Sequence, residues 1–297
     1  MVGYKNRLNM NFFYNKQHDI VLREYYLYIA KLIENNCKIY NYNIILGNYS
    51  YEFDNEYPVI KIDIQCEHTL VKKGGRGTEM AIDGKVPYNN DFYLVRIDKP
   101  NYILGLDFII EYSLPNIENI RLSGSYDNYL KKVIYIAPLI YELVDITIEN
   151  RTKIITMFIN TNEFRRNQLM KTLLPINKYE NINNCFSKED LEKVYEKTRI
   201  LVNIRQTEHH DTFEELRVLP ALLKGVIIIS EDVPLRDKIP YNEFIIWCKY
   251  DDVLETVKKV EDNYEFYWNY IFNNNKLKNI IDIMTINNHN NIKEKIK

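Results

Sequence analysis

Residues 198–234 read TRILVNIRQTEHHDTFEELRVLPALLKGVIIISEDVP. An apolar strand at 200–204 runs into a polar loop that carries His209 and His210. A helix bearing Glu214, Glu215 and Arg217 follows and closes at Gly225. A second apolar strand, 226–230, then stops at Glu231 and Asp232. Strand, helix and strand in this order predict a parallel sheet with a crossover helix. In such sheets ligands bind just outside the carboxyl ends of the strands and near helix N-termini. His209, His210, Thr212, Glu214, Glu215, Arg217 and Glu231 all fall at or near those edges.

The same rhythm continues on both sides. Residues 154–159 read as a strand and 162–174 as a helix with a cap among Asn160, Thr161 and Asn162. A short strand is expected at 182–186, and a helix at 187–197 that opens with the box-like Ser187-x-x-Asp190. The helix over 212–224 is expected to kink at Pro220. Residues 244–247 read as a strand, 251–260 and 264–272 as helices, and the Asn-rich tail from 273 as frayed or a weak last helix.

The first half has shorter apolar runs at 42–46, 59–65, 92–97, 107–112 and 133–137, all of strand character. Before them, 19–34 places Leu22, Tyr25, Tyr26, Ile29, Leu32 and Ile33 at helical spacing. A further helix is expected near 117–122. A chain of 297 residues has room for two domains. Pro138 and the turn-prone 149–153 set the expected boundary, giving domains 1–148 and 149–297. The fold class is therefore α/β, with two Rossmann-like domains; domain interfaces are preferred ligand sites. No internal repeat, GxGxxG or GxxxxGK[ST] is present, which weighs against nicotinamide enzymes and P-loop NTPases.

Charge nearly cancels, 39 basic against 41 acidic residues. That balance argues against a nucleic-acid partner. The four cysteines form no CxxC pair, so neither a zinc site nor a disulfide framework is expected. No run reaches a membrane span and no signal-peptide core is present, so a cytoplasmic protein is expected. The 25 tyrosines and the abundant Asn, Ile and Lys fit an AT-rich genome, a large DNA virus or a protist. In a virus the location would be the host cytoplasm.

Two blocks carry a family resemblance. One is 158–169, FINTNEFRRNQL: a strand, a small polar turn and a helix that opens with Arg165 and Arg166. The other is 203–232, with Glu215-Leu-Arg217 and the Gly225-terminated helix before a strand. Together they resemble the donor-binding domain of GT-B glycosyltransferases. They are also similar to the fucosyltransferase arrangement, in which an acidic residue and a neighbouring cation hold ribose and diphosphate. The strong part covers about 75 residues, the whole domain about 120.

The resemblance implies a nucleotide-diphosphate sugar of UDP or GDP type as donor substrate, no metal and no other cofactor, and a glycan or protein hydroxyl as acceptor. Arg165 or Arg166 would meet the diphosphate at one helix start and Thr212 with the Phe213 amide at another. Glu215 would hold ribose, with Arg217 beside it. Retaining members often place two glutamates eight positions apart. Thr212 and Pro220 stand at those places, which puts a retaining mechanism of that subtype in doubt; an inverting reaction is expected, with inverting against retaining left open.

Each of these residues also has a plain structural reading. Arginines are common at surface helix starts, and glutamates there are favoured by the macrodipole. Arg217 can pair with Glu214 or Asp211, and the two histidines can be loop surface.

A second constellation lies at 64–77, IQCEHTLVKKGGRG. A strand ends in Glu67 and His68, and a basic loop with Gly74, Gly75 and Arg76 follows. Glycines let backbone approach a ligand, and their amides form anion nests. The resemblance makes Glu67 or His68 the general base that deprotonates the acceptor, with the loop facing the donor phosphates. A plain hairpin turn with a neutral His68 is the other reading. An epimerase of nucleotide sugars and a non-catalytic nucleotide-sugar-binding protein remain alternatives. Oligomeric state stays open.

Overall fold

The computed structural model describes residues 2–5, 10–14, 20–37, 41–47, 52–53, 56–66, 69–72, 81–88, 91–97, 105–144, 146–273 and 275–296. The chain divides into two compact units. One comprises Met1–Val71, Gly77–Ala137 and Met284–Lys297; the other comprises Lys72–Arg76 and Pro138–Ile283.

The first unit begins with β1 (Val2–Lys5), β2 (Met10–Tyr14), α1 (Arg23–Asn36), β3 (Tyr42–Leu46) and β4 (Val59–Gln65). It continues with β5 (Leu70–Lys72), β6 (Ala81–Tyr88), β7 (Asp91–Arg96) and β8 (Phe108–Glu111). Helices α2 (Leu114–Ser123) and α3 (Asp127–Lys132) then lead to β9 (Val133–Tyr135). Six strands form a sheet of order β1-β2-β3-β4-β8-β9, parallel except at the β1–β2 hairpin. The order β5-β7-β6 makes a separate three-stranded sheet. The expected apolar stripe of α1 is buried at Tyr25, Tyr26, Ile29, Leu32 and Ile33. Burial of a face at 3.6-residue spacing, with Arg23 and Lys31 left outside it, is what makes this stretch a helix.

The second unit contains β10 (Lys153–Thr156), α4 (Phe164–Leu173), β11 (Tyr179–Asn181), α5 (Lys188–Lys197) and β12 (Thr198–Asn203). Then come α6 (Glu215–Leu223), β13 (Ile227–Glu231), β14 (Ile245–Cys248), α7 (Val253–Asp262), α8 (Tyr264–Phe272) and α9 (Asn275–Lys295). Its five strands, in order β11-β10-β12-β13-β14, are all parallel. Ile200, Leu201, Val202, Ile227, Ile228 and Ile229 are completely buried. Strands covered on both faces read as continuous apolar runs, which is why 200–204 and 226–230 stood out in the sequence. Both units are thus parallel α/β layers of Rossmann type. Among the described residues no helix is long and apolar enough to cross a membrane.

Several local expectations are corrected. Helix α6 starts at Glu215 rather than 212, because Phe213 turns inward to 1% exposure and its ring lies 5.0 Å from that of Trp247. The helix runs through Pro220. The cap of α4 is Glu163; Asn160 instead accepts from the Asn162 amide and donates to Glu163, a side-chain turn ahead of the helix. The expected strand at 182–186 is β11 at Tyr179–Asn181, placed by its register with Ile154–Thr156. Ser187 does cap α5, accepting from the Asp190 amide. The Asn-rich tail is a 21-residue helix, and its last part, from Met284, counts with the first unit.

Candidate anion site

The carboxyl ends of β12 and β13 lie in register, Asn203 opposite Ser230. The Asn203 amide donates to Ser230 Oγ at 3.0 Å, and Arg217 Nη1 donates to Asn203 Oδ1 at 2.9 Å. Arg217 is the third residue of α6, so this bond ties the helix start to the strand end. Arg166 is the third residue of α4, which follows β10. Its guanidinium carbon lies 4.9 Å from the centroid of the Phe158 ring, and that of Arg217 lies 5.9 Å from the same centroid. One aromatic ring therefore carries two cations.

The two neighbouring arginines of α4 have different fates. Arg165 donates to Glu231 at 2.6 Å and to the Thr207 carbonyl at 3.3 Å, and lies 4.2 Å from the Tyr250 ring centroid. It is fully spent within the fold. Arg166 is 5% exposed, and its Nε has no partner. Among the described residues no carboxylate lies within ion-pair distance of it. Burial and then the charge of Arg217 push its pKa down to about 10, against partial support from Glu214 and Glu163. A buried cation short of partners is an anion site in waiting.

Behind this pair stands a neutralised network. Glu231, 3% exposed, accepts from Arg165 and Arg205 side chains, each at 2.6 Å, and from the Arg205 amide at 3.1 Å. Burial alone would raise its pKa, but the hydrogen bonds and charges of Arg205 and Arg165 outweigh it and hold the carboxyl below its ordinary value. Arg205 also pairs with the buried Asp211.

The other expected site residues fall as follows. Glu215 is wholly buried, and its Oε2 accepts from the Tyr241 hydroxyl at 2.8 Å. It anchors α6 to the 232–241 segment and does not open on the sheet edge. Its neighbour Glu214, at the N-cap position, keeps 22% side-chain exposure and lies 4.0 Å from Arg217. Thr212 is buried ahead of the helix, so Thr212 and the Phe213 amide do not form the helix start, which lies at 214–217. His210 is buried with Nδ1 at 2.8 Å from Thr207 Oγ1. His209 is more open, Nε2 at 3.4 Å from Glu208, and within the second unit its carbonyl accepts from the Lys72 amide. Glu67, His68, Gly74, Gly75 and Arg76 lie outside the described residues.

Sequence reasoning passed over Arg205, Asn203, Phe158 and Tyr241, and offered Asp211 to Arg217 where the structure pairs it with Arg205. Arg205 and Asp211 bracket the histidine loop, and an arginine directly after an apolar strand was the signal for the first. Among the described residues no three His, Cys, Asp or Glu side chains gather where one metal ion would be held. The arrangement is suited to a phosphate-rich anion: planar guanidinium forks on a hydrophobic floor, next to two helix N-termini.

No family model matches the chain. It is 28% identical to an uncharacterised protein of Acanthamoeba polyphaga mimivirus over 229 residues, 70% of this chain and 78% of that one. An alpha1,3-fucosyltransferase crystal structure is similar at a TM-score of 0.36, with 11% identity over 78% of this chain and 68% of its own.

Proposed function

We propose that the protein is a glycosyltransferase of GT-B architecture. In this reading the second unit binds a nucleotide-diphosphate sugar and the first binds the acceptor. Arg166 is the observation that carries the donor site: a buried guanidinium with an unpartnered Nε, beside Arg217 on a shared ring. Two largely buried cations stabilise the charge that gathers on a departing diphosphate. They do so without a metal ion. Glu214, partly exposed at the N-cap of α6, takes the ribose role that the resemblance implies for Glu215.

The reaction is a single inverting displacement. An acceptor hydroxyl attacks the anomeric carbon while the bond from that carbon to the diphosphate oxygen breaks. The electron pair leaves with the nucleoside diphosphate, and the hydroxyl proton passes to Glu67 or His68.

Titration calorimetry with UDP, GDP, CDP and TDP in EDTA tests the donor site. One diphosphate should bind saturably, and Arg166→Ala should weaken it at least about tenfold, since a hydrogen bond to a charged group contributes ~1.5–3 kcal/mol. Binding unchanged by Arg166→Ala contradicts the reading. Turnover then separates the alternatives. Conversion of a nucleotide sugar without acceptor would mark an epimerase, and binding with no conversion a binding protein.

A further inference from the structure

Glu231 occupies a place that the anion site needs but does not itself touch. Both of its oxygens are taken, Oε1 by the side chains of Arg165 and Arg205 and Oε2 by the Arg205 amide, and it is 3% exposed. Arg165 is the chain neighbour of Arg166 in the first turn of α4. It is fixed further by its carbonyl, which accepts from the Tyr250 hydroxyl at 2.9 Å, and by the Tyr250 ring beneath it. Arg205 lies two residues past Asn203, the residue that receives Arg217. One carboxylate thus ties together the end of β13, the first turn of α4 and the loop that follows β12.

We propose that Glu231 is a positioning residue for anion binding. Through Arg165 it sets the turn that presents Arg166, and through Arg205 it sets the strand end that holds Arg217. The proposal rests on the anion site argued above and removes Glu231 from the set of groups in contact with the donor.

The sign of one substitution separates this role from its rivals. Glu231→Gln deletes a negative charge close to an anion site, so Coulomb's law alone predicts tighter binding of an anion. A merely structural role predicts lower stability with unchanged affinity. Positioning predicts weaker binding in spite of the lost repulsion.

The test is calorimetry of inorganic pyrophosphate with the full chain in EDTA, with folding checked by circular dichroism. Glu231→Gln should weaken pyrophosphate about tenfold, within the range of couplings between residues of one network. In an Arg166→Lys background, which no longer has the guanidinium to be placed, adding Glu231→Gln should cost less affinity than it does in wild type, since only the Arg217 arm is left to disturb. Arg165→Lys keeps the cation and loses its fork; it should give the same fall, and serves if Glu231→Gln does not fold.

Affinity that holds or rises in Glu231→Gln, or in Arg165→Lys where that variant serves, overturns the positioning role alone, provided Arg166→Ala still abolishes binding. Wild-type protein that does not bind pyrophosphate overturns the anion site and this role with it.

Discussion

Arg166 and Arg151 show what a buried arginine looks like with and without a structural task. Arg151 donates to the carbonyls of Thr147, Tyr195, Thr198 and Lys224, joining the ends of α5 and α6 to the segment that leads into β10. Arg166 has no such set, and a buried charge without compensation is a net burden on the fold. Arg166→Met is therefore expected to leave the melting temperature unchanged or higher while anion binding is lost. A fall of several degrees would show that Arg166 holds the fold. The sequence presents Arg165 and Arg166 as equals. What separates them is Glu231, 66 positions further along the chain, and no local pattern encodes that pairing. The resemblance singles out Glu215 rather than Glu214, and no local pattern encodes the buried Tyr241 hydroxyl that Glu215 accepts from.

Gly225 ends α6 with φ at +79°, and a Cβ there would sit 2.7 Å from Arg151 Nη2. Gly225→Ala thus meets both a left-handed backbone and a guanidinium with four commitments. It should cost about 1–3 kcal/mol in urea unfolding; a neutral result would mean that the Arg151 staple moves freely. The network that joins α4, β13 and the 204–214 loop adds an acid sensitivity. The folded-state pKa of Glu231 lies below its ordinary value of 4.5. Its contribution to stability is then complete above pH 4.5 and is lost as pH falls through the lower folded value. Acid titrations followed by circular dichroism should show a flatter fall below that point in Glu231→Gln than in wild type. These elements were legible to different degrees. Strands β12 and β13 were plain because burial on both faces demands unbroken apolar runs. The start of α6 was misplaced because Phe213, apolar and in phase with the helix, serves instead to cover Trp247.

Length and the turn-prone 149–153 lead to an expected boundary at 148–149, whereas the chain passes from one compact unit to the other at Ala137–Pro138. The return of the last residues to the first unit was not legible, since their Asn-rich composition reads as solvent-facing. Asn288 explains it: fully buried, it accepts from the Ala137 amide and donates to the Ala137 carbonyl, each at 2.9 Å, and to the Tyr28 hydroxyl. An asparagine that pairs with both polar groups of one peptide residue is a specific latch, and Asn291 adds a bond to the Tyr135 carbonyl. Asn288→Ala orphans buried backbone groups and should cost about 2–4 kcal/mol. Hydrogen exchange should then rise around β9 while β12 and β13 stay protected; uniform protection in the variant would contradict the latch. The proposed donor site lies at the carboxyl edge of the five-stranded sheet of the second unit. Calorimetry of UDP, GDP, CDP and TDP in EDTA tests it most directly. The account predicts one saturable nucleoside diphosphate whose binding survives chelation and is lost in Arg166→Ala. Silence from all four, or binding that Arg166→Ala leaves intact, would contradict it.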